Sequence, residues 1–196
     1  MSKILTQKNG TRKDVIIQKA AALYKSKSYT ASSMRELAET LGVEAPSLYN
    51  HIGSKSELLQ AICFRTGSRF IDQVLLVSSG EENIVHKLEA IIRFHIRMMI
   101  ENFDEVYVAN HEWKHLQEPF LTEFLEIRRS YEKGIINLIQ QGIEMNEIKP
   151  LNPYVAVLTI LSAVRGLEFW QRNKKNVPQQ TLENDMVSHL LNGLIK

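Results

Sequence analysis

Several residue types and segments are rare or missing in this sequence, and each absence restricts what the chain can be. Cys63 is the single cysteine, so no disulfide can form within one chain and a reducing compartment is expected. The N-terminal segment MSKILTQKNGTRK lacks the apolar stretch of a secretory signal. The longest mostly apolar run, YVAVLTILSAV, is too short to cross a bilayer. We therefore predict a cytoplasmic protein with no membrane partner.

Convincing strand patterns, internal repeats and low-complexity linkers are also missing. Apolar residues instead recur at helical spacing along nearly the whole chain. Two pairs, Ser33 with Glu36 and Ser54 with Glu57, have the spacing of capping boxes that start helices. We predict an all-α fold of about nine helices, in which three short N-terminal helices form a head and longer helices form a larger domain.

Positive charge is concentrated towards the N-terminus. Residues 1–60 hold nine Lys and Arg against five Asp and Glu, whereas residues 61–196 hold 15 against 17. A basic segment on a nearly neutral body fits a polyanion such as nucleic acid. The alternative is a solvated charged face without a partner.

The segment SSMRELAETLGVEAPSLYNHI predicts two short helices joined by a tight turn. Gly42 can adopt the left-handed conformation that ends the first helix, and Pro46 is tolerated in the first turn of the second. Apolar residues, including Leu37 and Leu48, would pack the pair as a helix-turn-helix. Its small outward side chains would let the second helix enter a major groove, and its larger ones would reach bases or phosphates. The candidates for this surface are Ala45, Ser47, Tyr49, Asn50 and His51.

From Ile16 to Leu59 the chain resembles the TetR family of bacterial repressors. The residues that carry the resemblance are IIQKAAALY, Tyr29, SMRELA, Gly42-Val43 and LYNHIGSKSELL. The resemblance implies a DNA-binding helix-turn-helix domain over residues 1–55, and a homodimer that binds a palindromic operator. It implies phosphate contacts from Tyr49, His51 and Lys55 with support from Ser32 and Ser33, and base contacts from Ala45, Pro46, Ser47 and Asn50. In the alternative interpretation, Tyr49 and His51 only pack against the first helix.

Three residues depart from the family pattern. Ser28 stands where glycine is usual, which implies either a costly left-handed residue or a different turn. Glu44 replaces the usual Ser or Thr cap, so it either caps weakly or accepts a hydrogen bond from a cytosine amino group. Ile52 replaces the usual phenylalanine.

Residues 56–196 are expected to form the ligand-binding and dimerisation domain. Here RFHIRMMIEN, HEW and FLEIRRSYE are similar to the effector domain of family members that sense acyl-CoA thioesters. The resemblance implies a small organic effector, with an acyl-CoA as the leading candidate, whose binding releases the protein from DNA. Aromatic, apolar and cationic side chains are the predicted ligand-binding residues: Phe94, Arg97, Met98, Trp113, Phe124, Tyr131, Arg165 and Trp170.

Two further features of this domain are open to more than one interpretation. His95 lies on an apolar stripe, either as a hydrogen-bonded core residue or as a ligand contact. Residues 153–195 are apolar on more than one face, which favours a homodimer interface over complete burial in one chain.

The segment His111-Glu112-Trp113-Lys114-His115 matches the His-Glu-x-x-His pattern of zinc-dependent hydrolases. On one helical face the two histidines could bind zinc, with Glu112 as general base. No third ligand stands out, so we predict no catalytic residues, no metal and no cofactor. A zinc-dependent hydrolase and a non-specific DNA-binding protein remain the alternatives to a regulator.

Overall fold

The computed structural model describes residues 11–173 and 177–195, and over these ranges it is helical without a β-strand. The prediction of an all-α fold is confirmed. The helices are α1 (Arg12–Lys27), α2 (Met34–Leu41), α3 (Ala45–Tyr49), α4 (Lys55–Ser78), α5 (Ile84–Glu101), α6 (Phe103–His111), α7 (Phe120–Glu144), α8 (Pro153–Arg165), α9 (Leu167–Asn173) and α10 (Gln179–Asn192). A 3-10 turn, Trp113–His115, separates α6 from α7. The helical segment from residue 153 to residue 173 is divided at Gly166 into α8 and α9, consistent with the weak helix propensity of glycine.

Local sequence signals fix the ends of the helices in the head, which comprises α1–α3. Ser33 and Glu36 form the predicted capping box at the start of α2. At α4 the Ser54 hydroxyl accepts from the Glu57 amide, but the Glu57 carboxylate accepts from the Gly53 amide instead of closing a box. Gly42 ends α2 with a φ of 66°, the left-handed conformation expected of it.

Two hydrophobic clusters hold the fold together. The first joins α5, α7, α8 and α10 in the larger domain. The second begins in the head, runs along the first half of α4, and continues into the larger domain through Val108, Ala109, Leu116 and Phe124. The head therefore shares its core with α6 and α7. Cys63 lies in this second cluster, and burial raises the pKa of its thiol to about 12.

Within the described ranges, no helix combines the length and the hydropathy needed to cross a membrane.

Candidate functional site

The outward surface of α3 is the first candidate site. Leu48 and Ile52 are each 1 % exposed and anchor the helix on the core. Tyr49 is 51 % exposed, and the next two residues, Asn50 and His51, are exposed as well. Tyr49 and His51 therefore face solvent instead of only packing against α1. Pro46 is exposed, while Ala45 and Ser47 are half-buried on the same short helix.

The residues expected to support phosphate contacts have different environments. The hydroxyl of Ser32 is buried and donates to the Ser28 carbonyl at 2.7 Å, whereas Ser33 is exposed at the start of α2. Lys55 donates to the Thr30 carbonyl at 3.3 Å, and its ammonium group lies 4.4 Å from the centre of the Tyr29 ring. Burial lowers the pKa of Lys55. Lys55 is thus held against the turn that leads into α2.

The backbone at Ser28 is strained. Its φ is 73° and its ψ is 158°, a combination that is essentially restricted to glycine. Ser28 thus has the costly positive φ of the first expectation, but its ψ differs from the left-handed helical conformation of Gly42, whose ψ is 33°. Glu44, the other departure, precedes α3 without a side-chain capping bond, which matches the expectation of a weak cap.

Ion pairs tie the head to the larger domain. Arg65 of α4 contacts Asp14 of α1 at 2.8 Å and also the buried carboxylate of Glu105 on α6. Asp14 accepts from the backbone and the hydroxyl of Thr11, and these bonds together with Arg65 lower its pKa. Lys25 of α1 pairs with Asp104 at the start of α6. The position of α1 is therefore coupled to that of α6.

The second candidate site is a cavity in the larger domain. Its free volume is about 60 Å³, it is partly open to solvent, and it lies between α4, α5, α6, α7 and α8. This is far below the roughly 300–1,000 Å³ of ordinary ligand pockets, so an organic ligand would have to push the surrounding helices apart to enter. The wall is formed by Thr66, Gly67, Phe70, His95, Ala109, Asn110, Phe124, Ile127, Arg128, Tyr131, Glu132, Leu161 and Arg165.

Two arginines give the cavity a positively charged side. Arg165 is exposed and Arg128 is half-buried. Neither forms a salt bridge within the described residues. Burial and the neighbouring charge of Arg165 lower the pKa of Arg128. Arg128 also donates to the Ala109 carbonyl at 3.5 Å and is attracted by the Glu132 carboxylate, which lines the same cavity. Arginines without a salt bridge are suited to bind an anionic group.

The inner wall carries His95 and Tyr131, both buried. The Tyr131 hydroxyl lies 3.0 Å from Nδ1 of His95, and the Phe70 ring packs against both side chains. Burial, with a smaller contribution from Arg165, lowers the pKa of His95 to about 3, so the imidazole is neutral. His95 is thus a hydrogen-bonded core residue and a cavity residue at once.

Only some of the predicted ligand-binding residues lie in the cavity wall. Phe124, Tyr131 and Arg165 do. Arg97 instead pairs with Glu183 of α10 at 2.9 Å, and Met98 is 2 % exposed in the core of the larger domain. The other three also lie outside the wall: Phe94 packs edge-on against Phe70, Trp113 lies beneath Arg128, and Trp170 packs on the larger core. Their role in ligand binding stays a prediction.

Sequence reasoning missed the contribution of α4 to the cavity. Thr66 and Phe70 are four residues apart and therefore lie on the same face of this helix. That spacing was a usable signal. A buried threonine, however, is not distinguishable by residue type from an exposed one.

The expectation that His111 and His115 share one helical face is wrong. The α-helix ends at His111, and His115 lies in the following 3-10 turn. His111 contacts Glu168 at 3.0 Å, whereas His115 stacks on Tyr29 with ring centres 5.4 Å apart. The chain leaves the α-helix here as Leu116 enters the core shared with the head.

Two models of known protein families match this chain, one towards the N-terminus and one over the larger domain. Residues 16–62 match the model described as "Bacterial regulatory proteins, tetR family", and residues 81–194 match "Tetracyclin repressor-like, C-terminal domain". The transcriptional activator FasR of Mycolicibacterium smegmatis is 22 % identical, over 93 % of this chain and 83 % of its own.

Two solved structures share the fold. The ketosteroid transcriptional regulator KstR2 of Mycobacterium tuberculosis superimposes with a TM-score of 0.88 at 18 % identity, covering 96 % of this chain and 97 % of its own. AibR, in complex with isovaleryl coenzyme A and operator DNA, gives a TM-score of 0.80 at 26 % identity, covering 92 % and 98 %.

Proposed function

The chain belongs to the TetR family of transcriptional regulators, and from this premise we propose that it binds a palindromic operator as a homodimer and leaves it when an acyl-CoA enters the cavity. One observation carries this proposal: a single helix, α4, begins next to the DNA-binding candidates and also forms part of the cavity wall. The proposed division is a DNA-binding domain over residues 1–55 and a ligand-binding and dimerisation domain over residues 56–196.

DNA contact is assigned to the surface around α3. The exposed Pro46 and Asn50, with half-buried Ala45 and Ser47, are proposed to meet base edges. Tyr49, His51, Ser33 and Lys55 are proposed to meet phosphates, while Ser32 shapes the preceding turn.

Exposed apolar side chains on α8 and α9 support the homodimer. Tyr154, Val155, Leu158 and Phe169 are each more than half exposed in the single chain. A second copy packed against them would remove this apolar area from water. Dimerisation would also hold two α3 helices about one DNA turn apart, roughly 34–36 Å, as a palindrome requires.

The acyl-CoA assignment is supported by two cavity arginines that form no salt bridge within the described residues, and by the similarity to AibR, whose structure contains isovaleryl coenzyme A. Arg128 and Arg165 would bind anionic groups, while Phe70, Phe124 and Leu161 would contact the acyl chain. The role as a repressor, as opposed to an activator, is part of the proposal.

Close packing of α4 on α7 explains how a ligand would move the head. A Cβ at Gly67 would lie 3.0 Å from Ile127 and 3.2 Å from Phe124, so α4 and α7 are in close contact there. A ligand that displaces α7 is therefore expected to shift α4 as well. Lys55 lies about 18 Å from Gly67, at the start of the same helix, at about 1.5 Å per residue. A helix of this length transmits the displacement to the head and changes the spacing of the two DNA-binding surfaces.

Selection from random duplex DNA tests the regulator against a non-specific DNA-binding protein. We expect enrichment of an inverted repeat, and isovaleryl-CoA or a longer acyl-CoA should release that repeat. Equal binding of all duplexes would contradict operator recognition. Loss of specific binding in His111→Ala, together with zinc-dependent hydrolysis by the wild type, would instead support the hydrolase.

Lys55→Ala tests the docking of the head on the phosphate backbone. We expect weaker binding to all sequences and a salt dependence whose slope falls by about 1. Lys114→Ala is the matched control, because Lys114 is an exposed lysine outside the head and should leave the slope unchanged. An unaltered slope in Lys55→Ala would refute this docking.

A further inference from the structure

Thr66, one of the residues that form the cavity wall, has a hydroxyl without a partner. Thr66 is 3 % exposed, and its Oγ1 has no hydrogen-bond partner within the described residues. A threonine inside a helix commonly donates to the carbonyl oxygen one turn earlier, and no such bond forms here. A buried hydroxyl without a partner is destabilising, so a partner supplied by a bound molecule would be stabilising at this position.

A second polar group lines the same cavity. His95 uses Nδ1 for its contact with Tyr131, and its Nε2 has no hydrogen-bond partner in the part of the chain that the structure describes. Because the imidazole is neutral, Nε2 donates in one tautomer and accepts in the other. A hydroxyl and a neutral imidazole can each donate or accept, so together they suit a carbonyl or hydroxyl oxygen.

The side chains of the wall differ in exposure and in polarity. Arg165 is exposed, whereas Thr66 and His95 are both buried. Apolar side chains, among them Phe70 and Leu161, complete the wall. The cavity wall therefore combines the exposed Arg165, the half-buried Arg128 and Glu132, an apolar surface, and the buried Thr66 and His95.

We infer that the effector is an acyl thioester whose apolar part carries a hydroxyl or keto oxygen that bonds with Thr66 and His95. This inference rests on the proposed function and narrows its ligand class. An acyl chain without an oxygen substituent would cover both polar groups and leave them without partners. A site with such groups discriminates strongly against a ligand that lacks the matching oxygen.

Direct binding measurements on the full-length protein test this inference. The probes are decanoyl-CoA and its hydroxy and oxo derivatives, which carry the additional oxygen at successive positions along the chain. We expect the wild type to bind the best oxygenated isomer at least about tenfold more tightly than decanoyl-CoA. Thr66→Val should abolish most of that preference, and Thr66→Ser should retain it because the hydroxyl is kept.

Thr122→Val is the matched control, since Thr122 is exposed in the first turn of α7 and lies outside the cavity wall. Equal binding of oxygenated and saturated thioesters by the wild type, or an unchanged preference in Thr66→Val, would overturn the inference. Release of operator DNA by decanoyl-CoA would leave the proposed function standing in that case. If no thioester binds while operator binding persists, the acyl-CoA assignment fails together with this inference.

Discussion

Polar side chains have different environments in the head and in the cavity wall. In the head, Ser33 and Glu36 satisfy each other's backbone amides, and Ser32 donates to a turn carbonyl. In the wall, Thr66 is buried without a partner and Arg128 forms no salt bridge among the described residues. A DNA-binding surface is hydrated when free, so the head can satisfy its internal groups completely. A ligand cavity instead retains unsatisfied groups that its ligand can pair with.

Phe124→Ala should affect the head and the cavity at once, because Phe124 belongs both to the cluster shared with the head and to the cavity wall. Phe124 is 2 % exposed, so its truncation should lower the free energy of unfolding by about 3–5 kcal/mol. Urea denaturation measures the loss. Phe120→Ala is the control, since Phe120 is only half-buried and its truncation should cost less. Equal losses in the two variants would show that the head and the cavity do not share a core at Phe124.

His95→Gln would sharpen the comparison by removing the titration of a buried cavity group. The folded pKa of His95, about 3, lies below its ordinary value of 6.5, so the unfolded chain binds the proton first as the pH falls. The wild type should therefore lose about 2 kcal/mol of stability between pH 7 and pH 5 through this residue alone. Denaturation of His95→Gln at pH 7 and at pH 5 should not show this loss of stability.

His86→Gln is the control for the acid response, because His86 is exposed. It should lose as much stability on acidification as the wild type. An identical acid response in His95→Gln and the wild type would show that His95 is not held neutral by burial.

Ser28→Gly tests the strain in the head and has the smallest expected effect. Removing the Cβ from a glycine-restricted conformation should raise the free energy of unfolding by about 1 kcal/mol, after the entropic cost of glycine is subtracted. Ser28→Ala keeps the Cβ and should bring no gain. Thermal unfolding of the two variants distinguishes them, and equal stability would refute backbone strain at Ser28.

The sequence predicted the head in more detail than the cavity because the signals of the head are local. The capping residues of α2, the left-handed Gly42 and the buried Leu48 lie within a few residues of the structure they specify. Exposure of Tyr49 follows once the buried face of α3 is known. Each of these inferences needs only the helical period and the chemistry of helix ends.

The cavity depends on which helix faces meet, and residue type does not determine that. Arg97 was a plausible ligand contact, but Glu183, far along the chain on α10, pairs with it. Met98 lies close by in sequence and faces the core instead. Thr66 was missed because no local pattern marks a threonine as buried.

The burial of Cys63 makes the chain well suited to spectroscopic labelling. The thiolate is the reactive form of cysteine, and a buried thiol with its pKa raised to about 12 is inert towards maleimide dyes in the folded protein. No native cysteine therefore has to be removed before a single reactive one is introduced, for example at exposed Glu44. Two dyes on a dimer labelled in this way would report the distance between its heads by energy transfer, with and without an effector.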